Sequence, residues 1–177
     1  MKVKIGLLII VLGAIATFSL FGTAGAAQDT EQVIPIVNVD PTASLTIVSG
    51  TTGPDNNLID FGNMAAGSTQ TKVLILGVTA NDAWTLTVSK SRDLKDDITN
   101  ETIPSANFTF TSSGPAGPTY VTSDTEFGTI ASPANVVTNG SATSSSNINI
   151  TYKLVTPDDQ PVGYYTAPFH TYTLIVP

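Results

Sequence analysis

Side chains able to do chemistry are sparse and scattered in this chain. Among its 177 residues there is one histidine, His170, and no cysteine. One imidazole and no thiolate cannot build a zinc site with ordinary ligand spacing. A Ser-His-Asp hydrolase would have to take its base from His170, and no Gly-x-Ser-x-Gly elbow occurs to present a serine to it. His170 lies beside Phe169 and Tyr172 and reads as a partly packed strand histidine. Neither a phosphate-cradling loop nor a dinucleotide fingerprint is found. Carboxylates for a paired-acid glycosidase are present, but they cluster in turns, where solvation accounts for them. Asp93, Asp96 and Asp97, or Asp55, Asn56 and Asn57, could offer oxygen ligands to calcium, yet neither group has the spacing of a calcium loop. The inventory points to a non-enzyme without a cofactor.

Four Asn-x-Ser/Thr sequons remain, at Asn100, Asn107, Asn139 and Asn149. In an exported chain each is a glycosylation acceptor, although a Thr- and Asn-rich sequence produces several by chance. Asn149 falls inside an expected strand and is the weakest of the four unless it faces solvent. Asn100, Asn107 and Asn139 are the acceptors expected from the sequence.

Export itself is written at the N-terminus. Lys2 and Lys4 precede an apolar run through Phe21, and the small residues of 22–27, with Ala24-x-Ala26, follow it. That is the pattern of a secretory signal peptide over residues 1–27. The alternative is an uncleaved membrane anchor, since the run approaches the ~18–20 residues that cross a bilayer; the small-residue exit favours cleavage. About 150 residues remain, enough for one domain with its own core. Five basic residues then face fourteen acidic ones. No basic patch exists to neutralise phosphates, so nucleic acid is not an expected partner, and the acidity serves solubility.

The elements that hold these groups are strands. The chain after the leader is rich in Thr, Val, Ile, Ser and Asn, and its apolar residues alternate rather than recur at helical spacing. Ala43, Leu45 and Ile47 share a face. So do Trp84, Leu86 and Val88, then Phe108 and Phe110, then Ile148, Ile150, Tyr152 and Leu154, and finally Tyr172, Leu174 and Val176. Residues 72–78 form a nearly continuous apolar run suited to a central strand. Gly-, Pro- and Asn/Asp-rich turns lie between these segments. The expectation is all-β: a single antiparallel immunoglobulin-like β-sandwich over residues 42–177, its last two strands joined as a hairpin across 157–163. Residues 28–41 contain Pro35 and Pro41, so they form an edge strand or an extended arm. Val33, Ile34, Ile36, Val37 and Val39 make that arm a candidate donor strand, able to pair within its own chain or with a neighbour.

Trp84-Thr85-Leu86, preceded by Asn81-Asp82-Ala83, resembles the Trp-x-Leu motif of the WxL surface domains of Gram-positive bacteria. Residues 163–167 leading to Tyr172-Thr173-Leu174-Ile175-Val176-Pro177 are similar to the second motif of that family, with Tyr172 where the family has a second Trp. The resemblance spans roughly residues 40–177 and implies a non-covalent association with a cell-wall polymer or other surface proteins. On it, Trp84, Leu86, Tyr172 and Leu174 are either wall-association residues or core, and a lone Trp on an Ig-like strand is ordinarily core. Residues 39–45, 58–63 and 66–69 are also similar to exported Ig-like modules, among them subunits of biofilm fibres and archaeal bundling pili. That likeness implies self-association through the arm. A carbohydrate-binding module is a third class, resting on Tyr120, Tyr164 and Tyr165. The expected protein is secreted to the cell surface, touching membrane only if the leader is uncleaved.

Overall fold

The computed structural model describes Val37, residues 39–52, 58–167 and 169–177. The leader and the arm residues Val33, Ile34 and Ile36 lie outside the described residues, as do Asp55, Asn56 and Asn57. By contacts the chain divides into two units, Met1–Val37 and Asn38–Pro177; the second contains every element below.

That unit is all-β. Its strands are β1 (Ala43–Ser49), β2 (Thr69–Ala80), β3 (Trp84–Lys90), β4 (Leu94–Asp96), β5 (Thr102–Ile103), β6 (Phe108–Ser113) and β7 (Thr119–Tyr120). They continue with β8 (Thr125–Glu126), β9 (Gly128–Thr129), β10 (Ala134–Gly140), β11 (Thr143–Val155), β12 (Tyr165–Thr166) and β13 (His170–Ile175). One sheet has the order β1-β2-β11-β6-β8 and the other β13-β3-β10-β7, with β9 added in parallel to β3. A small third sheet, β12-β4-β5, sits beside them. Among the described residues no helix is long and apolar enough to cross a membrane.

The period-2 pattern explains why these segments became strands and which way they face. Leu74, Leu76, Val78 and Ala80 of β2, Trp84, Leu86 and Val88 of β3, and Ile148, Ile150, Tyr152 and Leu154 of β11 are all buried. Their odd-register neighbours, mostly Thr, Ser and Asn, point outward. Each large apolar side chain removed from water in this way contributes roughly 1.5–3 kcal/mol before entropy is charged. The expected central strand, β2, is indeed interior, pairing with β1 on one side and β11 on the other.

The expected hairpin across 157–163 does not form. β11 pairs with β2 and β6, whereas β13 pairs with β3, so the connection between them crosses from one sheet to the other. The loop has a strand of its own, β12, which joins Asp96 and Lys95 of the small sheet.

Candidate functional site

Trp84, Leu86, Tyr172 and Leu174 face inward. On adjacent strands, Leu174 lies opposite Leu86 and Tyr172 opposite Val88. Trp84 is 3% exposed, and Leu86 is fully buried. Tyr172 and Leu174 are half-buried against the same core. The Trp84 indole Nε1 donates to the Ser141 carbonyl at 2.8 Å, so its one polar atom is satisfied inside. Gly140 has a reason to be glycine here: a Cβ at that position would fall inside the indole ring. Gly140→Ala is therefore expected to lower stability by about 1–3 kcal/mol through overpacking. A blue-to-red shift of Trp84 emission together with a lower melting temperature would register it.

A wide concavity lies at the other end of the sandwich. It is a groove of about 960 Å³ between the sheets, reaching from Ile47 and Leu74 to His170 and Tyr172. Two loops border it. Residues 58–66 contribute Leu58, Ile59, Phe61 and Met64, and residues 160–167 contribute Val162, Tyr164 and Tyr165. Its rim is unusually apolar for a surface: Ile47, Leu58, Val162, Tyr164 and Phe169 are all exposed.

Asp96 shapes that rim. Its buried carboxylate accepts the backbone amides of Ile98 at 2.7 Å, Thr99 at 3.1 Å and Tyr164 at 2.8 Å. These amide bonds, that of Thr99 first, hold the carboxyl below its ordinary range. One side chain thus ties the small sheet to the groove loop. Tyr165 braces the same loop, its hydroxyl donating to the Pro161 carbonyl at 2.8 Å and accepting from Gln160 at 2.7 Å. Asp96→Ala should free residues 160–166 and make them the first site of limited proteolysis, with the sandwich core still protected.

The floor of the groove is aromatic. Phe108, Tyr152 and His170 line it and cluster with Phe127, the Phe127 and His170 centroids being 4.1 Å apart and the Tyr152 and His170 rings stacked at 9°. Tyr152 and Tyr172 share a hydroxyl–hydroxyl bond of 2.8 Å. Burial raises the pKa of both tyrosines. Burial, and then the charge of Lys90, lowers that of His170 to about 4. With its pKa at about 4 the imidazole is neutral at physiological pH, and the Tyr152 hydroxyl beside it is bonded to Tyr172.

The three acids weighed for calcium are engaged separately. Asp93 accepts from Lys90 at 2.5 Å and from Ser105 at 2.7 Å, Asp96 holds the amides just described, and Asp97 is paired with Arg92 at 2.7 Å. Among the described residues no group of three or more His, Cys, Asp or Glu could hold a metal ion.

The sequons differ in setting. Asn100, just after the turn that follows β4, and Asn139, near the end of β10, are exposed with φ of 64° and 57°, a conformation that Asn tolerates better than most residues. Asn107 is half-buried and donates to the Val155 carbonyl at 3.2 Å. Asn149 stands on the outer face of β11, between Ile75 and Ser113. Of the aromatics, Tyr164 is well exposed, while Tyr120 and Tyr165 are half-buried.

The chain approaches the sandwich at the end remote from the groove. Asn81, in the turn after β2, accepts the Thr42 amide at 2.7 Å and donates to the Asp40 carbonyl at 3.0 Å. β1 then starts with Ala43 opposite Ala80 and runs toward Ile75. Val37 and Val39, the described members of the arm, are 85% and 73% exposed. Ala80 lies six residue steps along β2 from Leu74 at the groove, roughly 20 Å.

No protein-family model matches the chain, and a search of curated proteins finds no significant match.

Proposed function

We propose that the protein is a non-enzymatic, exported cell-surface protein whose β-sandwich assembles with further copies of itself. The observation that carries this reading is the apolar groove at one end of the sandwich, together with the entry of the chain into β1, through Asp40 and Thr42, at the other. An extended segment laid in such a groove supplies main-chain bonds to a strand edge and alternate side chains to the pockets beneath. Edges for it exist, because β1 and β13 each pair on one side only among the described strands. Val33, Ile34, Ile36, Val37 and Val39 have the apolar character the groove asks for. A donor segment joined to the domain at the end remote from the acceptor groove favours a head-to-tail contact, which propagates instead of closing.

A non-covalent association with cell-wall polymer is the second reading, favoured by the exposed Tyr164 and Phe169 on the groove rim. Trp84 and Leu86 are sealed in the core, so that attachment would run through the rim, to which residues 163–167 of the second motif contribute Tyr164, and not through Trp84 and Leu86. The two separate in one experiment. A filament subunit polymerises alone, and a synthetic peptide of residues 28–41 competes with its assembly; a wall-binding module stays monomeric and sediments with purified peptidoglycan. Full-length protein that remains monomeric at high concentration and ignores the peptide would overturn the assembly reading.

A further inference from the structure

His170 is the first residue of β13, an edge strand whose only ladder partner among the described strands is β3. Its ring is built into the groove floor in an unusual way. Nδ1 lies 3.4 Å from the Tyr152 hydroxyl, and Nε2 is buried with no hydrogen-bond partner. A neutral imidazole tolerates this, since an unprotonated nitrogen in an aromatic cluster forfeits one acceptor bond. An imidazolium does not, because its N–H and its charge would both be stranded.

The groups around it offer no compensation. β11 presents the Tyr152 hydroxyl, already bonded to Tyr172 of β13 itself. β3 presents Lys90, the register partner of His170, whose ammonium is held by Asp93 and Ser105. β6 and the segment before β9 present Phe108 and Phe127, which carry no charge. Asp93, the acid of that corner, is thus bonded to Lys90. The remaining route to solvation is outward. Phe169, the preceding residue, is already 71% exposed, and both residues line the groove.

We propose that His170 is a proton-operated latch on the groove: neutral, it stacks into the floor and holds the start of β13 down, and protonated, it leaves the aromatic cluster and lifts that end of the strand. The consequence for assembly, release of a bound strand in acid, rests on the acceptor role proposed above; the latch itself does not.

The test uses the full-length chain. Backbone amide exchange is measured at pH 7 and at pH 4, corrected for intrinsic rates, together with the titration of the His170 ring by NMR. The expected result is that amides of residues 170–172 exchange at least tenfold faster at pH 4 while those of β2 and β11 keep their protection. His170→Phe, or His170→Leu should the first variant fold poorly, is expected to remove the difference. Unchanged exchange at residues 170–172, a uniform rise across all strands, or a difference that persists in the variant would each overturn the latch. A fluorescent peptide of residues 28–41 is titrated in parallel. Binding at pH 7 that weakens at least tenfold at pH 4 in the wild type alone supports the coupling. No binding at pH 7 overturns the acceptor role and leaves the exchange result to judge the latch.

Discussion

Trp84→Ala will destabilise the protein by about 3–5 kcal/mol, the cost of deleting a large buried aromatic that the surroundings cannot refill. The indole is 3% exposed, packs over Gly140 and bonds the Ser141 carbonyl. Truncation leaves a cavity and also orphans that carbonyl, and both terms have the same sign. In a domain of this size the loss corresponds to roughly 10 °C of melting temperature, readable by circular dichroism or calorimetry. Trp84→Phe should recover the packing but not the hydrogen bond, and so fall between the two. An alanine variant with an unchanged melting temperature and lost surface attachment would return Trp84 to a contact role.

That prediction depends on a feature the sequence displays openly. Trp84, Leu86 and Val88 alternate with Thr85, Thr87 and Ser89, and a strand sends alternate residues to opposite faces, so their burial together followed from spacing alone. The same logic exposed the inner faces of β6 and β11. In β2 the nearly continuous apolar run marked an interior strand without saying that Leu74 and Leu76, not Val73 and Ile75, would be the buried face. β10 escaped it for a physical reason. Val136 and Val137 are consecutive, yet both are buried, because the register against β3 shifts between Asn135 and Val137. A bulge breaks the period that would have announced the strand.

The hairpin expected across 157–163 failed through the opposite fault. Turn residues mark where the chain reverses, but they do not say which sheet it rejoins. Preference for the nearest neighbour in sequence decided wrongly. The groove was the least legible part. Ile59, Phe61 and Met64 pack on the core from a loop with no periodicity, and Asp96, which fixes the opposite rim, looked like one acid in a cluster of three. Its partners are backbone amides, and no side-chain pattern encodes those.

The second large effect is on acid stability. Folding stability will fall as the pH drops from about 6.5 to about 4, and His170 accounts for that window. In the unfolded chain the imidazole takes up a proton near pH 6.5, whereas in the folded protein burial and then Lys90 hold its pKa down to about 4. Between these values the unfolded state binds more protons, so mass action draws the equilibrium toward it. Above pH 6.5 the group is neutral in both states and contributes nothing; below about 4 it is charged in both, and the loss has reached its limit. The separation of the two pKa values sets that limit at about 3 kcal/mol. Asp93, Asp96 and Asp97 respond in a different window. Their folded pKa values are depressed, so the stability they contribute is present above the ordinary carboxylate range and is lost only as the pH falls through it and below. Denaturant titrations at pH 7, 5.5 and 4.5 should therefore show a decline that His170→Phe flattens and that Asp97→Asn leaves in place. A wild-type stability that is level from pH 7 to 4.5 would mean that the imidazole is solvated in the folded protein, and that the stacking of Tyr152, Phe127 and His170 does not close the groove floor to water.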